Sequence, residues 1–265
     1  MSEAAQRLEA LLALMMRLRD PQQGCPWDQV QTFASIAPHT IEEAYELADA
    51  IGSAEPGRIR DELGDLLFQV VFLAQLGLER GWFDFAAVAA TVHDKLVRRH
   101  PHVFGSASRD ASGLAKAWDS HKAAERAAAG VEGALTGVPQ ALPALSRAAK
   151  LGRRAARVGF DWSDARSVRA KIAEELRETE SAVLQQDQPA VEEEFGDLLF
   201  AVVNWARHLQ VDPEAALRKA NHKFERRFAA MEALIAQRGR AASELGIEEW
   251  ERLWGEVKAQ AREES

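Results

Sequence analysis

The sequence has a single cysteine, Cys25, in 265 residues. That excludes an internal disulfide and a multi-cysteine zinc site, and it suits a reducing compartment. Positive charge is also scarce: 33 Lys and Arg stand against 41 Asp and Glu, a formal net charge of −8. This balance argues against a nucleic-acid groove or an anionic membrane surface as the main partner. No apolar run approaches the roughly 20 residues of a membrane span. The amphipathic N-terminus carries no signal-peptide pattern. A soluble cytoplasmic protein is the expectation. Strand-length alternating runs between turn signals are missing as well, so the fold class is all-α. Hydrophobic residues make up 47%, enough to bury one large core or two of ordinary size.

What the chain does have is acid at regular spacing. Residues 174–200 hold two carboxylate pairs, Glu175 with Glu178 and Glu194 with Asp197, each spaced i, i+3. On a helix that spacing puts both acids on one face. Phe195, Leu198, Leu199 and Val202 make an apolar stripe in the second segment, and Ile172, Leu176 and Val183 one in the first; the acids flank both stripes. Residues 186–189 read as a turn, with Pro189 suited to a helix start. The hairpin then sets Glu175 against Asp197 and Glu178 against Glu194, with a mismatch of roughly 4 Å of helix rise that side chains can span. Four clustered carboxylates repel unless something positive sits among them, and an all-oxygen set suits Mg²⁺ or Mn²⁺.

The first half repeats this plan. A helix is expected over residues 3–18, a loop over 19–27, a helix from near Pro38 and Thr40 to about Ile51, and another over 61–75. EEAYE, with Glu43 and Glu46, matches EELRE; DELGDLLF, with Glu62 and Asp65, matches EEFGDLLF. The separation is 16 positions in both halves, 46 to 62 and 178 to 194. Lys95 and Arg99 match Lys223 and Arg227, and Trp118 and Lys122 match Trp254 and Lys258. A repeat this long is a domain duplication, not a solenoid. The expected division is an N-terminal domain over 1–127, a linker rich in Ala and Gly over 128–142, and a C-terminal domain over 143–265.

Each of these features has an ordinary reading. A single acidic pair on a helix is usually a solvated face, but here the pairs flank core stripes, occupy adjacent helices and recur in both halves. Duplication preserves core residues and gives no reason to keep the acids. Lys223 and Arg227, like Lys95 and Arg99, share a helical face at i, i+4; they can pair with surface Glu or hold phosphate oxygens. Asn221 can bond a ligand or cap local backbone. Trp254 is core or a base-stacking wall. Lys171 precedes Glu175 by four positions where His39 precedes Glu43, so the second half carries a fixed charge that the first lacks. The run KLGRRAAR, 150–157, reads as a solvated helix face.

EExxE followed by ExxD on two helices, with a later KxxxR, resembles the MazG family of nucleoside triphosphate pyrophosphohydrolases. CPWD, EEAYE, DELGDLLF and RRHPHVF together carry the resemblance, which covers nearly the whole chain. It implies tandem MazG-like domains whose helical hairpins associate as four-helix bundles, usually through homodimers. It also implies Mg²⁺-dependent hydrolysis of nucleoside triphosphates to the monophosphate and pyrophosphate. Carried over by motif, Glu175, Glu178, Glu194 and Asp197 bind metal, Lys223 and Arg227 hold phosphates, and Lys171 and Trp254 line the nucleotide site. The first-half equivalents are Glu43, Glu46, Glu62, Asp65, Lys95 and Arg99. Glu174 or Glu175 orients or deprotonates the attacking water. The alternatives are a non-catalytic nucleotide-binding module and a narrow pyrimidine triphosphatase of the related dUTPase type.

Overall fold

The structure, a computed structural model, describes residues 2–105 and 133–263. Trp118 and Lys122 lie outside the described residues, as do positions 128–132 of the expected linker. The described residues form helices and no strand. By contact the chain divides into two compact units, Met1–Glu125 and Arg126–Ser265.

In the first unit the described helices are α1 (Glu3–Leu18), α2 (Pro26–Val30), α3 (Phe33–Ser53), α4 (Pro56–Glu79), α5 (Phe85–Arg99) and α6 (Pro101–Phe104). Helix α1 spans the expected residues. It starts at Ser2, whose side chain accepts a hydrogen bond from the Ala5 amide, a cap of the kind that contributes about 1 kcal/mol. Helix α3 begins before the expected Pro38. Thr32 and Ser35 form a reciprocal capping box that nucleates the helix at Phe33, so Pro38 lies inside it. The proline is tolerated in the second turn, where it costs one backbone bond. Helices α3 and α4 pack as an antiparallel hairpin and α1 lies against α4. Met15, Ile36, Val71, Phe72 and Leu76 make the buried core, each side chain contributing roughly 1.5–3 kcal/mol. Arg19 closes the end of α1 by a two-pronged ion pair to Glu79 on α4, at 2.7 and 2.6 Å.

In the second unit the described helices are α7 (Ala144–Arg157), α8 (Ala165–Gln185), α9 (Gln188–His208), α10 (Pro213–Gln237) and α11 (Ile247–Glu263). Asp164, Asp187 and Asp212 cap α8, α9 and α10 through their carboxylates. Helices α8 and α9 form the equivalent hairpin, and α7 packs on α9 as α1 packs on α4. The duplication therefore includes a helix ahead of each hairpin. Gly152 is where α7 meets α9 most closely; a Cβ there would collide with the buried Asn204 side chain. The face expected to be solvated, 150–157, is not wholly so. Arg154 is buried because it donates to the Thr136 carbonyl oxygen from beneath the helix. Helices α10 and α11 share a separate core of Met231, Ile235, Leu253 and Val257.

Both hairpins turn on a residue in left-handed backbone, Ala54 and Gln186, each with φ of 57°. A proline follows within the first two helical positions, Pro56 or Pro189. The apolar stripes expected to be core are largely uncovered: Phe195 is 52% exposed and Leu199 46%, and Leu176, Val183 and Val202 are exposed too. In the first hairpin Ile41, Tyr45, Leu63, Leu67 and Val70 are exposed in the same way. A single two-helix hairpin has an inner seam and an outer apolar face, and only the seam is filled within the hairpin itself.

Candidate metal centres

The spacing of the acids on α8 and α9 places them on facing sides of the hairpin. Carboxylate oxygens of Glu175, Glu194 and Asp197 lie within 4.8 Å of one another, and those of Glu43, Glu62 and Asp65 do the same in the first unit. Glu178 and Glu46, the fourth acid of each set, stand at the edge. Glu178 is the strongest charge acting on Glu194, and Glu46 the strongest acting on Glu62. The antiparallel pairing expected from the spacing is thus the observed one.

Crowding raises the acids' affinity for protons. Desolvation first, then Glu178, Glu175 and Asp197, push the Glu194 carboxyl above its ordinary range. Desolvation followed by Glu46 and Asp65 does so for Glu62, and desolvation followed by Asp65 and Glu46 for Glu43. A divalent cation relieves the same repulsion. The donors are carboxylate oxygens only, close enough for one ion to touch several, and they fit Mg²⁺ or Mn²⁺.

The two centres differ in what holds their first acid. Glu175 is 4% exposed, and the Lys171 ammonium lies 2.7 Å from its Oε1 and 2.8 Å from Oε1 of Glu174. The hydrogen bonds to Glu174 and Glu175 drive the Lys171 pKa far up, and the same contact lowers that of Glu174. In the first unit His39 stands in the Lys171 position and turns to Glu42 at 3.5 Å. There Glu43 is met by Gln69, whose Nε2 is 3.4 Å from Glu43 Oε1. No motif in the sequence singles out Gln69, although it sits four positions after Asp65 and so on the same face.

The remaining expected residues lie on α10, α11 and α5. Lys223 and Asn221 are exposed on α10. Arg227 lies over the Trp254 ring at 5.6 Å, and its Nε is buried with no hydrogen-bond partner. Trp254 belongs to an aromatic group with Phe224 and packs on the core shared by α10 and α11. Among the described residues no hydrogen bond or ion pair joins Lys223 or Arg227 to the acids. Lys95 and Arg99 are half-buried on α5, which packs on α4.

Residues 31–104 and 164–230 match the MazG nucleotide pyrophosphohydrolase domain. The chain belongs to the MazG nucleotide pyrophosphohydrolase family. Each matched MazG segment contains one complete acid cluster. The chain is 49% identical over 257 residues to the nucleoside triphosphate pyrophosphohydrolase of Escherichia coli (strain K12), covering 96% of this chain and 98% of that protein. It is 45% identical to the nucleoside triphosphate pyrophosphohydrolase/pyrophosphatase MazG of Thermotoga maritima, covering 97% and 98%. A third relative, the Bacillus subtilis (strain 168) protein YabN, is 40% identical over 94% of this chain but only 51% of its own length. Among the described residues of this MazG chain, no helix is long and apolar enough to cross a membrane.

Proposed function

We propose that the chain hydrolyses nucleoside triphosphates to the monophosphate and pyrophosphate with Mg²⁺, and that the C-terminal half is the main active site. The observation that carries this assignment is the Lys171 contact with Glu174 and Glu175, which His39 does not reproduce for Glu43. A triphosphate is strongly anionic, so a site made of acids needs cations of its own besides a bridging ion. The C-terminal half supplies Lys171, Lys223 and Arg227; the N-terminal half has Lys95 and Arg99 with a histidine in the third place.

Glu175, Glu178, Glu194 and Asp197 would hold the ion, and Glu43, Glu46, Glu62 and Asp65 its counterpart in the first half. Bound there, Mg²⁺ would polarise phosphoryl oxygens and lower the pKa of a bound water. The water oxygen bonds to the α-phosphorus as the bond to the α–β bridging oxygen breaks. Glu174 and Glu175 both touch Lys171; one of the two orients that water and takes its proton as the new bond forms. Lys223 and Arg227 stabilise charge on the departing pyrophosphate. Trp254, already stacked on Arg227, offers its ring to the nucleoside, with Asn221 beside Lys223 as a polar contact.

The exposed apolar faces of both hairpins support association into four-helix bundles through a homodimer. Exposed apolar area on this scale is typical of an interface. The test is to incubate the protein with each nucleoside triphosphate and Mg²⁺ and identify the products by mass. Monophosphate and pyrophosphate are expected. Tight nucleotide binding with no product at any divalent ion would favour a non-catalytic module instead. Turnover confined to pyrimidine substrates would favour the narrow triphosphatase.

A further inference from the structure

Gln69 is 5% exposed, and its Oε1 is buried with no hydrogen-bond partner. Its orientation follows from its neighbour. A carboxylate only accepts hydrogen bonds, so the NH₂ end must face Glu43, as it does at 3.4 Å. The carbonyl oxygen of the same amide, next to the nitrogen that meets Glu43, is then left inside the protein without a donor. Buried acceptors without donors are uncommon in folded proteins and point to a group that arrives later.

Among the described residues, the acid cluster of the second unit has no such amide at the equivalent position. Ala201, buried, stands four positions after Asp197 as Gln69 stands four after Asp65. There the first acid is held by a cation of its own helix, Lys171 of α8, at i, i+4. Among the described residues, Gln69 is the one side chain that hydrogen-bonds Glu43. So one centre has a lysine that offsets part of its negative charge. In the other, among the described residues, no cation touches the first acid, although Arg58 acts on Glu62, and the cluster gains a neutral amide with a spare acceptor. Mg²⁺ and Mn²⁺ retain waters when protein-bound, and every such water is a hydrogen-bond donor in need of an acceptor.

We propose that Gln69 is a positioning residue of the N-terminal centre: its NH₂ fixes Glu43 as a ligand and its buried Oε1 accepts a hydrogen bond from a water of the ion, so that this unit holds a divalent cation without nucleotide. The inference rests on the reading of the acid clusters as metal centres and adds to it that the two are loaded differently. The N-terminal centre takes the ion alone. The C-terminal centre, partly neutralised by Lys171, takes it best with a triphosphate.

The probe is Mn²⁺, titrated into nucleotide-free full-length protein and followed by the electron paramagnetic resonance of free Mn²⁺ and by calorimetry. Asp197→Ala isolates the N-terminal cluster. This variant is expected to bind one Mn²⁺ per chain. Adding Gln69→Met, which keeps the side-chain volume, is expected to weaken that binding roughly tenfold to a hundredfold, as loss of a ligand-orienting partner does. Circular dichroism confirms the fold of each variant, and Gln69→Asn, with its amide drawn back by one carbon, replaces Gln69→Met if that protein does not fold. Unchanged Mn²⁺ affinity in the Gln69 variants overturns this proposal alone. Binding by the wild type but not by Asp197→Ala overturns it by removing the N-terminal site. Binding by neither removes the metal reading on which it rests.

Discussion

The Lys171 ammonium bridges two adjacent carboxylates, Glu175 at 2.7 Å and Glu174 at 2.8 Å. One cation thus fixes both a candidate metal ligand and the acid next to it. Lys171→Met is expected to raise KM for triphosphates about tenfold to a hundredfold, since a hydrogen bond to a charged group contributes about 1.5–3 kcal/mol. It should also lower the Mg²⁺ concentration needed without nucleotide, because a competing positive charge is gone. Steady-state kinetics measures the first effect, and calorimetric titration of Mg²⁺ into nucleotide-free protein the second. An unchanged KM for every triphosphate would remove Lys171 from the substrate site.

Glu178→Ala and Glu46→Ala separate the two halves. The first is expected to abolish turnover and the second to leave most of it, with helical content intact in both. Assayed side by side on several triphosphates, the opposite result would make the N-terminal half the active one. Equal partial losses would mean two independent sites.

Removing the ion should reverse the pH response of stability near the acids. Glu194, Glu43 and Glu62 have raised affinities for protons, so at these three carboxyls the folded metal-free protein binds more protons than the unfolded chain. Their contribution to stability therefore falls as pH rises from the ordinary value of 4.5 through the raised ones. In EDTA the melting temperature of the wild type, relative to that of a variant with all three changed to Gln, is expected to climb as pH is lowered toward that value. With Mg²⁺ the trend inverts, because protons compete for the ligands. Thermal melts across pH, with and without Mg²⁺, check the sign; the same slope in both conditions would contradict it.

Asp161 should stabilise the second unit in a different pH window. The Arg207 guanidinium, with His208 behind it, holds the Asp161 carboxyl at about 2, against an ordinary 3.8. A carboxyl lowered in this way stabilises the fold above 3.8, and the contribution is lost as pH falls through about 2. Asp161 is an exposed residue, so solvent screening reduces the effect, and Asp161→Asn is expected to cost about 1 kcal/mol at neutral pH. Urea denaturation at pH 7 reads this directly, and a midpoint like the wild type's would refute it.

The sequence disclosed the hairpins and their acids because each depends on local spacing. Glu3–Leu18 was legible to the residue, and the antiparallel facing of Glu175 with Asp197 followed from helix rise and a short turn. The start of α3 was obscured by Pro38, since proline usually marks a helix start and only the Thr32 and Ser35 side chains together show that the helix opens earlier. Gln69 was invisible for another reason. A glutamine on a helix has no pattern of its own, and its significance comes from the fold burying it against Glu43. Periodicity marked Phe195 and Leu199 as apolar but could not say what covers them, because that depends on a surface outside the hairpin.

Ala54 and Gln186 act as gauges of length. Each sets where its two helices begin to run back past one another, and Glu46 with Glu62, like Glu178 with Glu194, lies 16 positions apart across that bend in both halves. One added residue would advance the second helix by about 1.5 Å and turn it by roughly 100°, swinging Glu194 and Asp197 out of reach of Glu175 without altering a single acid. Since the duplication, the connections ahead of the hairpins and behind them have changed length, while this one has not. The conserved quantity in the fold is then the distance around the bend, and a mutation that no list of ligands would flag could silence the centre as completely as losing an acid.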